Sequence, residues 1–387
     1  MRFPGFEAEW RKDKFGNIVT NTSPKFNPSK ANGIVKCIEL EHISSKTGEL
    51  LGFIDGSQSG SIKNVFSKGD VLFGKLRPYL RKYFHTPFDG VCSSEIWVLS
   101  GKSIRNAFLY QLVQTDKFVE LANQSSGSKM PRADWNLVKD GSFLFPTQDE
   151  QEKISVFLNA IDKRILTQSK IIQRLETLMR NLRERLFTQE IRLKDNSGAF
   201  FADWEFTILG EVVGIQGGFS FKSELFNNGE TKVLRIGDIT PNIFLSEFSG
   251  VSSVENPHKK YLVSKGDFLM ALSGATFGKV GKIVDEGFAY INQRVATFKT
   301  DYNREFFYQL VQTKGFTSYI NSIPTASAQP NISNTDIANF KFQMPSLKEQ
   351  NSIANVLSTI DAKLRIETKV LIKYRNQKKH LLKNLFI

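Results

Sequence analysis

The most regular hydrophobic pattern in this sequence runs through two long segments, each of which follows a proline. Steps of four and three residues from Ile154 meet almost only apolar side chains as far as Leu186, and the same steps from Ile353 do so, with few exceptions, as far as Leu385. A seam of period 3.5 over more than four heptads is typical of a coiled coil. The pattern therefore predicts two long helices that each pack against a long partner.

The predicted seam residues share an apolar side chain and one face of their helix. They are Ile154, Leu158, Ile161, Ile165, Ile172 and Leu175 in the first helix, and Ile353, Leu357, Ile360, Leu364, Leu371 and Leu381 in the second. Gln168 and Glu367 each hold the fifth of ten seam positions, so an antiparallel pairing would bring them together and fix the register. The alternative is that both face solvent. Lys378 interrupts the second seam and weakens the prediction for the last helical turn.

A capping box precedes each long segment. The sequence TQDE at 147–150 follows one proline, and SLKE at 346–349 follows another. In such a box the hydroxyl accepts a backbone N–H of the first turn, while the glutamate reaches back to the N–H of the capping residue. Both helices are therefore predicted to begin at matching places.

The chain is an internal duplication. FLYQLVQT at 108–115 and FFYQLVQT at 306–313 agree at seven of eight positions with an offset of 198, and SKGD occurs at 67–70 and 264–267. A period this long does not describe a solenoid, so we predict two related domains. The predicted boundaries are 1–146 for the first globular domain, 147–190 for its helix, 191–345 for the second globular domain, and 346–387 for the second helix.

The globular segments carry short β-rich runs between Gly, Ser, Asn and Pro, such as VKCIEL, DVLFG, KVLRIGDI and NQRVATF. The FLYQLVQT segment and its twin have helical spacing and are predicted to pack on the sheets. The expected fold class is α+β (mixed α/β), with two tandem homologous globular domains, each followed by a long helix. We expect the two helices to form an antiparallel coiled coil with internal pseudo-two-fold symmetry.

Charge directs attention to a polyanion as partner. The 52 Lys and Arg residues against 39 Asp and Glu leave a net charge of +13, although many basic proteins bind nothing acidic. The four histidines are scattered without metal-ligand spacing, and GATFGKV at 274–280 lacks the Ser or Thr that a nucleotide P-loop requires after its lysine. No catalytic constellation occurs, and no run of about 18 apolar residues exists to span a membrane. We therefore expect a non-enzymatic cytoplasmic protein that has no metal and no cofactor of its own.

Two loops and two turns offer the side chains that phosphates and base edges accept. In the first half they are Lys75, Arg77, Tyr79, Arg81 and Lys82, followed by Lys129 and Arg132; in the second half they are Ser273, Gly274, Thr276 and Lys279, followed by Gln329 and Asn331. A solvated charged loop and ordinary turns are the alternative interpretation. Together with the charge, these segments favour DNA binding.

The duplicated motifs resemble those of one known family across the whole chain. The opening RFPGFEAEW, the stretches SKGDVLFGKLRPYL and SKGDFLMALSGATFGKVG, the AQPNIS turn, and the P-x-x-x-E-Q-x-x-I start of each long helix are similar to the specificity subunit of type I restriction-modification systems, the HsdS family. The resemblance implies two target-recognition domains that each read one half of an interrupted site on double-stranded DNA. It also implies an antiparallel pair of helices that acts as a spacer.

The same resemblance implies partner subunits. Two modification subunits would bring S-adenosylmethionine and methylate adenine, and restriction subunits would use ATP and Mg to translocate and cut DNA. The candidate loop and turn residues would be DNA contacts.

Two alternatives stay open at this point. A fused modification and specificity enzyme would need a cofactor-binding Gly motif and an Asn-Pro-Pro-aromatic motif, neither of which this sequence has. A coiled-coil scaffold with incidental positive charge would show no salt-dependent DNA affinity.

Overall fold

The computed structural model describes residues 2–3, 5–30, 33–124, 130–324 and 331–386. The chain folds into two compact units, of which the first comprises 1–172 with 366–387 and the second comprises 173–365. Each unit thus combines one globular repeat with a segment of both long helices. Within the described ranges, no helix has the length and apolar character needed to cross a membrane.

The first repeat mixes short strands and helices before its long helix. Its elements are β1 (Arg11–Lys14), α1 (Phe15–Ile18), β2 (Val19–Thr20), β3 (Lys25–Phe26), β4 (Lys36–Ile38), β5 (Ile54–Asp55), β6 (Lys63–Phe66), β7 (Val71–Gly74), β8 (Tyr83–His85), β9 (Gly90–Cys92), β10 (Ile96–Gly101), α2 (Asn106–Leu112), α3 (Asp116–Ala122), α4 (Trp135–Asp140), β11 (Ser142–Phe145) and α5 (Gln148–Phe187). The predicted α+β character is confirmed.

The second repeat has a corresponding order of elements. They are β12 (Glu205–Ile208), α6 (Leu209–Val212), β13 (Gly214–Gly217), β14 (Phe226–Leu234), β15 (Asn242–Ile243), β16 (Ser252–Ser253), β17 (Leu262–Ser264), β18 (Phe268–Ala271), β19 (Val280–Ile283), β20 (Phe288–Ile291), β21 (Val295–Lys299), α7 (Arg304–Leu310), α8 (Lys314–Ser322), α9 (Asn334–Ala338), β22 (Lys341–Met344) and α10 (Leu347–Leu385).

The two repeats share their sheet topology. In the first, β1 pairs with β11, one sheet has the order β2-β10-β7-β8, and another has the order β3-β6-β9-β4-β5. In the second, β12 pairs with β22, one sheet has the order β13-β21-β18-β19-β15, and another has the order β17-β20-β14-β16. The sheet that contains β9 has one parallel pair, β4 with β9, and the sheet that contains β20 has the equivalent parallel pair, β14 with β20. The duplicated sequence therefore encodes one fold twice, with a different added edge strand in each copy.

The first unit contains an antiparallel segment of the two long helices. In the first unit, Gln168 of α5 donates to the backbone oxygen of Glu367 of α10 at 3.1 Å and to its carboxylate. Further along, the Lys378 ammonium contacts the Asp162 carboxylate, so rising numbers on one helix match falling numbers on the other. The predicted contact between Gln168 and Glu367 is confirmed.

The seam residues lie in the cores of the two units. Ile154, Leu158, Ile161 and Ile165 are buried in the first core with Leu371 and Leu381, and Ile353 and Leu357 are buried in the second core. Ile172 packs half-buried against the first core, Ile360 and Leu364 pack half-buried against the second, and Leu175 is half-buried. The apolar seam thus joins each globular repeat to both helices.

Two expectations about the helix ends need correction. Lys378 does not end the helix: α10 continues to Leu385, and Lys378 is buried because it has polar partners. The glutamates of the capping boxes turn towards tryptophan. Glu150 accepts the indole N–H of Trp10 at 3.3 Å, and Glu349 accepts that of Trp204 at 2.9 Å. Both carboxylates are buried, and each one binds the start of its long helix to the tryptophan near the start of its repeat.

Candidate nucleic-acid interface

Three chain segments meet at the end of β7 in the first repeat. The N–H of Lys75 donates to the oxygen of Glu95 at 2.9 Å, and the N–H of Ala133 donates to the oxygen of Lys75 at 2.8 Å. Leu76 and Arg132 form a β-bridge beside these bonds. We call this arrangement the three-segment junction. It brings the basic loop after β7 and the turn before α4 together with the loop between β9 and β10.

The second repeat builds the same junction at the end of β18. The N–H of Leu272 donates to the oxygen of Arg294 at 2.9 Å, and the N–H of Ile332 donates to the oxygen of Leu272 at 3.0 Å. Ser273 and Asn331 form the corresponding β-bridge. The candidate loop and candidate turn of each repeat are therefore neighbours in space, although the loop and the turn lie about fifty residues apart in the chain.

Some cations predicted to contact DNA are bound within the first repeat instead. The Arg81 guanidinium contacts the Asp116 carboxylate and donates to the backbone oxygen of Gln114 at 3.3 Å. The Lys82 ammonium donates to the oxygen of Leu40 at 2.6 Å. These two side chains hold the loop in place, so the structure gives them a role in positioning.

Arg132 has a partner inside the junction. Its Nε and Nη2 lie 3.1 and 3.3 Å from the two carboxylate oxygens of Glu95, a two-point contact between side chains that remain partly exposed. Lys129 lies outside the described residues. The junction of the first repeat therefore presents a neutralised arginine next to the basic loop.

Arg77 and Tyr79 point into solvent at the tip of the basic loop. Arg77 is exposed and Tyr79 is 49% exposed, on either side of the buried Pro78. Arg77 and Arg81 both have positive φ, 52° and 51°, a left-handed conformation that is uncommon for residues other than glycine. These strained residues frame a tight turn that projects the side chains between them, and Lys75 is half-buried at its base.

The loop of the second repeat and the start of α9 carry buried polar atoms that other described residues do not satisfy. The hydroxyls of Ser273 and Thr276 and the side-chain oxygen of Asn334 are buried without a hydrogen-bond partner among the described residues. Buried polar groups normally have partners, because leaving one unpaired costs about 1–3 kcal/mol. Such atoms at the junction are suited to accept from or donate to a ligand.

The remaining residues of this loop are accessible. Gly274 has φ +75°, a conformation that favours glycine, and lets the chain turn away after Ser273. Lys279 and Asn331 are exposed, whereas Gln329 lies outside the described residues.

Sequence reasoning missed Arg294. It is exposed and occupies the junction position that Glu95 holds in the first repeat. The signal was present in the duplication, since SSEI at 93–96 and NQRV at 292–295 lie 199 residues apart, close to the offset of 198 between the two YQLVQ motifs. The junctions thus have equivalent backbones and opposite charges at one position.

The repeated YQLVQ motif serves the joint between each repeat and the long helices. In the first unit, buried Gln111 donates to Asn159 at 2.8 Å and Asp162 at 3.1 Å, while the Lys378 ammonium donates to Gln114 at 2.5 Å. Burial lowers the pKa of Lys378, and the charge of Asp162 opposes that shift. The motif therefore provides hydrogen-bond partners for a buried ion pair, whose cation Lys378 belongs to α10.

The second unit repeats this cluster with arginine. Arg183 of α5 donates to Gln309 at 2.9 Å and to Gln312 at 3.4 Å, and Gln309 donates to Asp361 at 3.0 Å. Burial lowers the pKa of Arg183 and raises the pKa of Asp361. The motif helix α2 packs against β7, β8 and β10 as predicted, and in both units glutamines of the motif also face the long helices.

Among the described residues, no group of three or more His, Cys, Asp or Glu side chains is placed to hold a metal ion. The site chemistry consists of cations, amides and hydroxyls at the two junctions. These groups suit phosphate and base-edge contacts.

Solved structures share this fold. A type I restriction-modification S subunit from M. genitalium aligns with a TM-score of 0.61 at 15% identity, over 98% of this chain and 96% of that chain. A chain from a study of complex assembly and conformational transition of the type I R-M system aligns with a TM-score of 0.55 at 18% identity, over 97% of each chain.

Similar sequences and a family profile describe the same kind of protein. The "Type I restriction enzyme MjaVIII specificity subunit" of Methanocaldococcus jannaschii is 27% identical over 324 residues, 76% of each chain. The EcoDI specificity subunit of Escherichia coli is 26% identical over 198 residues, 49% of this chain and 44% of the relative. The family profile described as "Type I restriction modification DNA specificity domain" matches residues 9–177 and again 202–373. With both repeats matched, the chain belongs to the DNA specificity family of type I restriction-modification systems.

Proposed function

We propose that this specificity subunit reads an interrupted DNA site, with one recognition domain on each half-site. The observation that carries the proposal is the three-segment junction, which occurs once in each repeat with exposed polar and basic side chains. Their chemistry differs between the repeats, so the two half-sites would differ in sequence. As a member of this family the chain confers DNA specificity and is not itself the catalyst.

The long helices would set the gap between the half-sites. One helix runs continuously over Gln148–Phe187, and its polar contacts to the other helix pair the two helices within the first unit. The helices would also dock two modification subunits. Exposed apolar side chains on them, among them Ile171, Leu178 and Ile372, support this role.

The chemistry would reside in the partners. S-adenosylmethionine would bind to the modification subunits, and ATP and Mg would bind to restriction subunits, in the cytoplasm. The net charge of +13 supports double-stranded DNA as the common substrate.

The test is genome-wide detection of methylated adenine in cells that express this chain with its modification subunit. We expect a split motif that vanishes when the chain is omitted. Methylation that continues unchanged without the chain would contradict the proposal and favour a scaffold role.

A matched binding experiment separates specific from general affinity. The purified complex should bind a duplex with the motif about 10³-fold or more tightly than a scrambled duplex at physiological salt. Equal affinity for both duplexes would contradict sequence reading.

A further inference from the structure

Arg294 is an exposed cation at the junction of the second repeat. Its backbone oxygen accepts the N–H of Leu272 at 2.9 Å, which anchors the residue beside the candidate loop. Its side chain is exposed and makes no hydrogen bond or ion pair with the residues that the structure describes. In the first repeat the equivalent position holds Glu95, which engages Arg132.

Among the described residues, no carboxylate forms an ion pair with Arg294. The carboxylate nearest in sequence to the turn, Asp336, accepts from the N–H and hydroxyl of Ser333 and caps α9. The adjacent Ser273 is only 7% exposed, and its hydroxyl has no partner in the described ranges. The exposed Arg294 is therefore bound through its backbone to Leu272, the residue before a buried hydroxyl that a ligand can satisfy. Such an arrangement is suited to a polar, hydrogen-bonding surface such as a base edge.

We propose that Arg294 reads a guanine in the half-site recognised by the second domain. The inference rests on the proposed function, in which each domain reads one half-site. Arginine pairs with guanine O6 and N7 through two parallel hydrogen bonds in the major groove. Glu95 at the equivalent position of the first domain cannot form this contact, so the two half-sites differ where the junctions meet the DNA.

A base contact and a phosphate contact make different predictions. A base contact affects one position of one half-site, whereas a phosphate contact affects all sequences equally and contributes about one to the salt slope. The hydrogen bond between Leu272 and Arg294 favours the base contact, because bidentate pairing with guanine depends on where the arginine is placed.

The experiment selects bound duplexes from a random library with the purified specificity and modification complex, and compares wild type with Arg294→Ala and Arg294→Gln. We expect Arg294→Ala to reduce the preference for guanine at one position by roughly 5- to 150-fold. Arg294→Gln should shift that position towards adenine, since glutamine pairs with adenine N6 and N7. Lys341→Ala, an exposed substitution on β22, should change no position.

The other half-site reports on folding within the same selection. Retained bases there show that an altered position in the second half-site is a local effect. If Arg294→Ala unfolds the second domain, Arg294→Lys serves as the second variant. It keeps the charge and should still weaken the guanine preference. An unchanged motif, or uniformly weaker binding with a lower salt slope, would overturn the inference. Neither result would affect the proposed function, which fails only if the wild-type complex selects no split motif.

Discussion

The ammonium group of Lys378 contacts the carboxylate of Asp162, and both groups lie inside the first unit. Their side chains are 10% and 19% exposed. The amide oxygen of Gln114 accepts from the same ammonium, and the Gln111 amide donates to Asp162. A lysine that interrupts an apolar seam is thus tolerated because two polar groups, the Asp162 carboxylate and the Gln114 amide oxygen, contact its ammonium.

Replacing Lys378 by alanine should destabilise the first unit. The change leaves the Asp162 charge buried without its cation, and breaking a buried pair in this way costs about 3 kcal/mol or more. We expect a lower melting temperature in thermal unfolding. The exposed neighbour is the matched control, and Lys379→Ala should change stability by less than about 0.5 kcal/mol. Lys378→Met combined with Asp162→Asn should recover much of the loss, and equal melting of Lys378→Ala and wild type would refute the assignment.

The two tryptophan contacts should differ in strength. Trp204→Phe removes the donor to Glu349, which is 1% exposed, and should cost about 2 kcal/mol because a buried charge loses a hydrogen bond. Trp10→Phe should cost less, since the Arg2 guanidinium also lies 3.5 Å from Glu150. Urea unfolding of both variants measures the difference. Equal losses in the two variants would contradict the role assigned to Arg2.

Asp361 should make the stability of the second unit depend on pH. Burial raises the pKa of its carboxyl, against the opposing charges of Lys282 and Arg183. The native state then binds more protons than the unfolded state between about pH 4 and the raised native pKa. The contribution of Asp361 to the free energy of unfolding is therefore fully present below this window and is lost as the pH rises through it.

Substitution of Asp361 by asparagine should flatten that profile. The amide oxygen can still accept from Gln309, and the cost of burying a charge disappears. Unfolding measured over roughly pH 4 to pH 7 checks the slope. Asp301→Asn, an exposed change in the same unit, should leave the wild-type profile in place. A steeper decline in Asp361→Asn would be the contrary result.

Substitutions of Arg77 and Arg81 should have different effects, because we expect Arg77 to contact DNA and Arg81 to hold the loop in place. Arg77→Ala should weaken DNA binding and lower the salt slope by about one, or relax one base position, because the side chain is exposed at the loop tip. Arg81→Ala should leave the salt slope unchanged and cost below about 1 kcal/mol of stability, since its pairing with Asp116 is partly exposed. Binding titrations at several salt concentrations measure both. A larger effect of Arg81→Ala on the salt slope would reverse the assignment.

Helix length should set the gap in the recognised sequence. One heptad inserted beside Gln168 and one beside Glu367 lengthen each helix by about 10 Å, which corresponds to roughly three base pairs. The methylated motif should keep both half-sites and gain that many bases between them. Inserting a heptad in one helix only is the control and should disrupt methylation. An unaltered gap after the double insertion would refute the role of the helices as a spacer.

The duplication, the two long helices and the contact between Gln168 and Glu367 could be predicted from the amino-acid order. These features follow from the hydrophobic period and from a nearly constant offset between the repeats, and both can be counted along the sequence without knowledge of the fold. The pairing of strands and the environments of the loop cations could not be deduced in this way. Arg77 and Arg81 stand four residues apart in one basic stretch, and only folding separates the exposed one from the one bound to Asp116.

The meeting of distant segments required the folded chain. Glu95 with Lys75 and Arg294 with Leu272 become neighbours through single backbone hydrogen bonds, which no sequence period encodes. Lys378 became a buried partner of Asp162 instead of a break in the seam, because the amide oxygen of Gln114, just after α2, also accepts from its ammonium. Sequence patterns report which face of an element is apolar. The environment of a polar side chain depends on which elements pack around it, and that is settled only when the whole chain is folded.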